Sequence, residues 1–142
     1  MECIRKATKN DSKALVELSE QLGYETNEEL LLVRFELLKE REQEVYVADI
    51  DNTVVGYISF EKYYTLYMEP GLNITALVVD KDNYKKGIGK KLVQTAEKYA
   101  QEHGLYYVRA NSSCERIEAH KFYRKTGFNN EKNYIKFIKK IK

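Results

Sequence analysis

The chain has no tryptophan, one proline (Pro70), two cysteines and two histidines among its 142 residues. Cys3 and Cys114 have neither disulfide nor metal-ligand spacing. That excludes a disulfide framework and a cysteine-bound metal, and it suits a reducing cytosol. No apolar run approaches membrane-spanning length, and the opening residues MECIRKATKND lack the apolar core of a signal peptide. A soluble cytoplasmic protein with no membrane partner is therefore expected. A dominant sign of charge is missing too: 24 basic residues face 22 acidic ones, a formal net charge of +2. Nothing in that balance favours a nucleic-acid partner. No internal repeat, linker or low-complexity tract interrupts the chain, so residues 1–142 read as one domain with a single core. What is abundant is tyrosine, with 12 residues, many of them in the middle third.

Periodicity gives an order of elements. Cys3 to Thr8 alternates modestly and reads as a first strand. Asn10 or Asp11 can cap a helix with Ala14, Leu15, Leu18 and Leu22 on one face, stopped by Gly23. Asn27 opens a second helix running from Glu28 to about Arg41. Val45 to Ile50 and Thr53 to Phe60 flank Asp51-Asn52, a two-residue hairpin signal. A tyrosine-rich extension, Glu61 to Gly71, leads to an apolar run from Ile74 to Val79, a buried strand. A helix follows from Ile88 to His103-Gly104, then a strand from Leu105 to Asn111, a helix from Glu115 to Thr126 ended by Gly127, and an alternating last strand from Tyr134 to Ile141. This order predicts an α/β fold: a mixed, mostly antiparallel sheet of six to seven strands flanked by four helices.

The chain is organised around Leu77 to Val93, LVVDKDNYKKGIGKKLV. A strand, a glycine-bearing loop and a helix in succession form a site for a phosphate. The first N–H groups of the helix are unpaired and its dipole favours an anion. Gly87 and Gly89 let backbone approach a ligand, and Lys85, Lys86, Lys90 and Lys91 add positive charge. A plain tight turn with solvated lysines fits the same residues. Both common nucleotide motifs fail: Leu92 stands where G-x-G-x-x-G needs its third glycine, and Lys91 follows Lys90 where a Walker loop needs serine or threonine.

Tyr84-Lys85-Lys86-Gly87-Ile88-Gly89, preceded by Leu77-Val78-Val79, resembles the acetyl-CoA loop [QR]-x-x-G-x-[GA] of the GCN5-related N-acetyltransferase (GNAT) family, with Tyr84 in place of the usual Gln or Arg. A second stretch, Arg116 to Phe128 (RIEAHKFYRKTGF), is similar to the closing motif of a large subgroup of that family, and Phe137-Ile138-Lys139-Lys140 agrees with it. Alone, this helix is ordinary amphipathic structure, with Tyr123 in the core and His120 at the surface. The resemblance covers nearly the whole chain and implies a GNAT fold. In that fold the strands at Ile74–Val79 and Leu105–Asn111 are parallel and splay apart to admit a pantetheine arm.

The resemblance also implies chemistry. Acetyl-CoA would be the cosubstrate, with no metal, and an amine would attack its thioester directly. Leu77, Val78 and Val79 would bond the pantetheine amides, and residues 84–90 would cradle the pyrophosphate. Asn111 would touch the pantetheine, and Arg116 would meet a CoA phosphate or brace its helix. The oxyanion donor would be the Val79 N–H. A thiolate leaving group of pKa roughly 8–9 can be protonated by a weak acid, and Tyr123 sits where the family places one. The amine needs a base. Related sequences often carry a carboxylate just before the Leu-Val-Val triplet, where Thr75 and Ala76 stand here, leaving Glu61 and Glu69 through a chain of waters. Tyr24, Tyr57, Tyr63, Tyr64 and Tyr67 are candidates to wall the acceptor pocket. A non-catalytic acyl-CoA-binding module is the alternative, and a homodimer is compatible with the family.

Overall fold

The computed structural model describes residues 2–84 and 86–142. Five strands form one sheet in the order β1-β2-β3-β4-β5: Glu2–Lys6, Glu44–Ile50, Thr53–Tyr63, Gly71–Val79 and Val108–Ala110. β1 to β4 are antiparallel neighbours, and β5 runs parallel to β4. Four helices accompany them: α1 Ser12–Leu22, α2 Glu28–Glu40, α3 Ile88–Glu102 and α4 Ile117–Lys125. The chain divides into two compact units, one running to Asn111 and the other Ser112–Lys142.

In the first unit the sheet is covered on both faces. Leu15 and Leu18 of α1 pack on Val47, Tyr57 and Val78. On the other face α3 buries Ile88, Leu92, Val93, Ala96 and Ala100. Its Tyr99 ring lies 5.0 Å from Phe60, which stacks on Tyr46 at 5.8 Å. Gly56 permits the close approach of α3: a Cβ there would meet Val78 O at 3.0 Å and Leu92 Cδ1 at 3.4 Å. The hairpin at Asp51-Asn52 forms as expected, both residues having positive φ (50° and 68°), as a tight two-residue turn between twisted strands requires. Gly23 ends α1 in the left-handed conformation.

Two expectations are corrected. Among the described residues the sheet has five strands, not six to seven, and no strand forms at Tyr134–Ile141. Alternating residue types mark a segment able to be a strand, but a strand exists only when a neighbour supplies its ladder of hydrogen bonds. Among the described residues no ladder reaches 134–141. Asp11, for its part, does not cap α1 with its side chain. It is buried, accepting from the Thr8 N–H at 2.8 Å and from both guanidinium nitrogens of Arg5 at 2.9 Å. Arg5 also binds Asp49 on β2 at 3.1 Å, so one guanidinium ties β1, β2 and the approach to α1 together.

That guanidinium holds the Asp11 carboxyl below its ordinary value of 3.8. The stabilisation is therefore complete above pH 3.8 and is lost as pH falls through the lower native value. Asp11→Asn should lower stability at neutral pH by about 1–2 kcal/mol, as expected for a charged hydrogen bond, and flatten the acid limb of stability against pH. Urea unfolding across the acid range checks both.

Candidate acyl-coenzyme site

β5 is paired with β4 only from Leu72↔Val108 to Ile74↔Ala110, whereas β4 continues to Val79. The register of β4 on β3 decides what the free part presents. Asp80 N–H donates to Val55 C=O at 2.7 Å, and the next pairs are Gly56↔Val79, Tyr57↔Val78 and Ile58↔Leu77. Bonded and non-bonded pairs alternate in an antiparallel ladder, so the N–H and C=O of Leu77 and Val79 point away from β3. Among the described residues no strand receives them. Val78 has the opposite orientation: its backbone is spent on the sheet and its side chain is buried.

After Val79 the chain turns through a short 3-10 helix, Lys81–Asn83, and enters α3 at Gly87. Gly87 has φ 77°, and a Cβ there would have open space around it, so its need for glycine is conformational. Lys91 N–H makes the first intrahelical bond, to Gly87 O at 3.1 Å. The amides of Ile88, Gly89 and Lys90 thus form the unpaired, positive end of a 15-residue helix. The Ile88 side chain is buried, so only its backbone is free for a ligand. Lys90 and Tyr84 are exposed, and Lys86 Nζ donates to Asn83 Oδ1 at 3.0 Å. Lys91 is turned away, its Nζ 2.6 Å from Glu2 on β1. Lys85 lies outside the described residues.

A brace that no sequence motif marks lies under this loop. Asp80 accepts from Gln21 Nε2 at 2.8 Å and Asn83 Nδ2 at 2.9 Å, while Gln21 Oε1 accepts from the Lys81 N–H at 3.0 Å. These donors, Gln21 foremost, lower the Asp80 pKa. The Asp80-x-x-Asn83 turn is a local signal; the bond to Gln21, on the end of α1, has none.

On the α1 face of the sheet Glu61 is half-buried, accepting from Asn73 at 3.0 Å and Gln43 at 3.5 Å. Asn73 Oδ1 in turn accepts from Arg109 at 3.2 Å. Arg109 lies 4.4 Å over the Tyr63 ring and reaches Asn111 Oδ1 at 3.4 Å. A surface pocket of about 180 Å³ lies beside Glu61, lined also by Gln43, Glu42 and Tyr64. Glu69 is exposed in the loop preceding β4. β4 carries an irregularity opposite Ser59/Phe60, and there Thr75 Oγ1 lies 2.6 Å from the buried Ser59 hydroxyl. The tyrosines differ in placement. Tyr57 is a core residue whose hydroxyl lies 2.8 Å from that of Ser19, and Tyr24, Tyr64 and Tyr67 are exposed.

In the second unit Tyr123 packs edge-on to Phe122 and Phe128, with ring centroids 5.4 and 5.2 Å away. Burial raises its hydroxyl pKa, and the charge of Arg116, at the start of α4, pulls weakly the other way. His120 Nε2 bonds Ser113 O at 2.7 Å, fixing the approach to α4.

A parallel strand pair joined only as far as Ile74 and a following helix whose first amides are unpaired are the features from which a comparison can start. The family model of the acetyltransferase (GNAT) family matches residues 12–128, and the chain belongs to that family. Solved structures agree on the fold. Aminoglycoside 6'-N-acetyltransferase AAC(6')-Ih from Acinetobacter baumannii superposes with a TM-score of 0.84 at 16% identity, over 100% of both chains. AAC(6')-Iy in complex with the bisubstrate analogue CoA-S-monomethyl-acetylneamine gives 0.85 at 17%, over 99% of both. Glucosamine-6-phosphate N-acetyltransferase from Arabidopsis thaliana gives 0.78 at 26%, over 100% of this chain and 99% of the other. No curated protein sequence matches the chain.

Gly87→Ala should destabilise the protein by about 1–2 kcal/mol, the cost of a left-handed residue with a Cβ, and Gly87→Asn by clearly less. Comparative urea denaturation of the two variants tests the assignment.

Proposed function

We propose that this protein is an acetyl-CoA-dependent N-acetyltransferase that acts on a primary amine of a small molecule or protein, with residues 1–142 as one catalytic domain in the cytoplasm. The observation that carries the reading is the outward-facing backbone of Leu77 and Val79, next in sequence to the free amides of Ile88, Gly89 and Lys90. The chemistry of these donors fits the group: peptide-like edges for the pantetheine amides, a helix N-terminus for a diphosphate. Leu77 and Val79 would hold the pantetheine through backbone, with Val78 keeping the strand seated. Tyr84, Lys85, Lys86, Gly87, Ile88, Gly89 and Lys90 would hold the pyrophosphate. Asn111 and Arg116 would make further contacts. When bound, acetyl-CoA supplies an acetyl group activated as a thioester.

The chain's own groups then have separate tasks. The Val79 N–H donates to the carbonyl oxygen where negative charge develops. Tyr123, whose pKa burial raises, keeps its proton at neutral pH and can pass it to the departing thiolate. Glu61, or Glu69, receives the proton of the incoming ammonium through water. Relatives of this fold named as aminoglycoside and glucosamine-6-phosphate acetyltransferases support an amino sugar or similar small amine as acceptor.

Release of free thiol from acetyl-CoA with a panel of amines tests the reading. Turnover is expected with at least one amine, and Tyr123→Phe should lower kcat by about 10²-fold with little change in KM for acetyl-CoA. CoA-dependent thermal stabilisation with no turnover on any amine would instead identify a non-catalytic acyl-CoA-binding module. Glu61→Gln or Glu69→Gln should shift the acid limb of the rate profile, and unchanged profiles in both would remove the glutamates from the mechanism.

A further inference from the structure

Glu61, Asn73 and Arg109 are register partners on three adjacent strands: Glu61↔Asn73 between β3 and β4, and Asn73↔Arg109 between β4 and β5. Their side chains therefore project from one face of the sheet as a single cross-strand row. It is the face that α1 covers at Tyr57, but the row lies about 13 Å further along β3. It also lies one pair before β5 parts from β4, at the closed end of the gap between them. The row holds a carboxylate and a guanidinium that do not meet. Glu61 accepts from the side-chain amides of Asn73 and Gln43. Arg109 gives Nη1 to Asn73 Oδ1 and Nη2 to Asn111 Oδ1, and its guanidinium lies 4.4 Å over the Tyr63 ring. Among the described residues neither Glu61 nor Arg109 has an ion-pair partner.

We propose, building on the acetyltransferase reading, that the acceptor is an amine that also carries an anionic oxygen group, a carboxylate or a phosphate. Its ammonium sits beside Glu61 and its anion on Arg109. Opposite charges on neighbouring strands of one face ordinarily join directly. Asn73 keeps these apart, donating through Nδ2 to Glu61 and accepting through Oδ1 from Arg109. Each charge is thus held by neutral amides, and the remaining guanidinium N–H groups and carboxylate lone pairs stay open. A half-buried guanidinium without an anion is costly, and the Tyr63 ring offsets only part of that cost. Its planar fork matches the oxygens of a carboxylate or phosphate. Both ends can be reached: Nη2 meets the exposed Asn111, and Glu61 borders the surface pocket of about 180 Å³. Arg109 is then a specificity-determining residue, and Asn73 a positioning residue that holds the two charges separate.

Matched pairs of amines test this: an amino sugar with and without a phosphate, and an amino acid beside its amide. In thiol-release assays one anionic member should exceed its partner in kcat/KM by about 10- to 100-fold, the value of a charged hydrogen bond. The pair that discriminates identifies the anion as phosphate or carboxylate. Arg109→Met should erase the preference through the KM of the anionic amine, and Arg109→Lys should restore part of it. The Arg109 Nε–H resonance of the unmodified, labelled protein gives an answer that does not depend on a variant folding. It should shift on titration with the favoured anionic amine and stay in place with its partner. Equal rates within both pairs, a preference that survives Arg109→Met, or a resonance indifferent to every anionic amine would each overturn the proposal. A responding resonance with no turnover on any amine would instead overturn the acetyltransferase reading and leave the two-charge site standing.

Discussion

The hydrogen-bond register between β3 and β4 is the constraint on which the site depends. Because Asp80 N–H closes on Val55 C=O, Leu77 and Val79 turn their backbone groups away from β3, and β5 leaves β4 at Ile74 before it can take them. One residue of slippage would reverse every orientation, turning those groups into the β3 ladder and the side chain of Val78 to the opposite face of the sheet. The register is therefore what makes a backbone edge available for recognition, whatever side chains surround it. Packing defends it. Tyr57 and Val78 lie under Leu15 and Leu18, and Gly56 allows Leu92 to sit against the strand pair.

The loop that follows carries the chain from this edge to the start of α3. Asp80 accepts from Gln21 and Asn83, and Gln21 in turn accepts from the Lys81 N–H, so the chain leaves β4 along a fixed course and enters α3 through left-handed Gly87. The helix end then owes its charge to geometry: three amides without acceptors, with Lys86 and Lys90 nearby. Lys91, equally basic in sequence, belongs to the ion pair with Glu2 and contributes nothing there.

Elements whose cause is local were legible in the sequence. The hairpin turn at Asp51-Asn52, the stop at Gly23, the cap at Asn27 and the glycine entry to α3 each depend on residues within a turn of one another. Long-range partners were not legible. Arg5 reaches Asp49 across 44 residues and Gln21 reaches Asp80 across 59, and no periodicity announces either. Tyr57 resembled a pocket residue because tyrosine suits both a wall and a core; its hydroxyl bond to Ser19 decides for the core. The strand expected at 134–141 does not form, because alternation of residue types supplies no neighbouring ladder of hydrogen bonds.

The central claim is that the amides at the start of α3 grip the diphosphate of coenzyme A. Backbone amide shifts of labelled protein titrated with CoA and, separately, with pantetheine test it most directly. The account predicts that Gly89 and Lys90 move strongly with CoA and scarcely with pantetheine, while Leu77 and Val79 respond to both. Saturation by CoA that leaves Gly89 and Lys90 unmoved, or no binding of CoA at all, would contradict it.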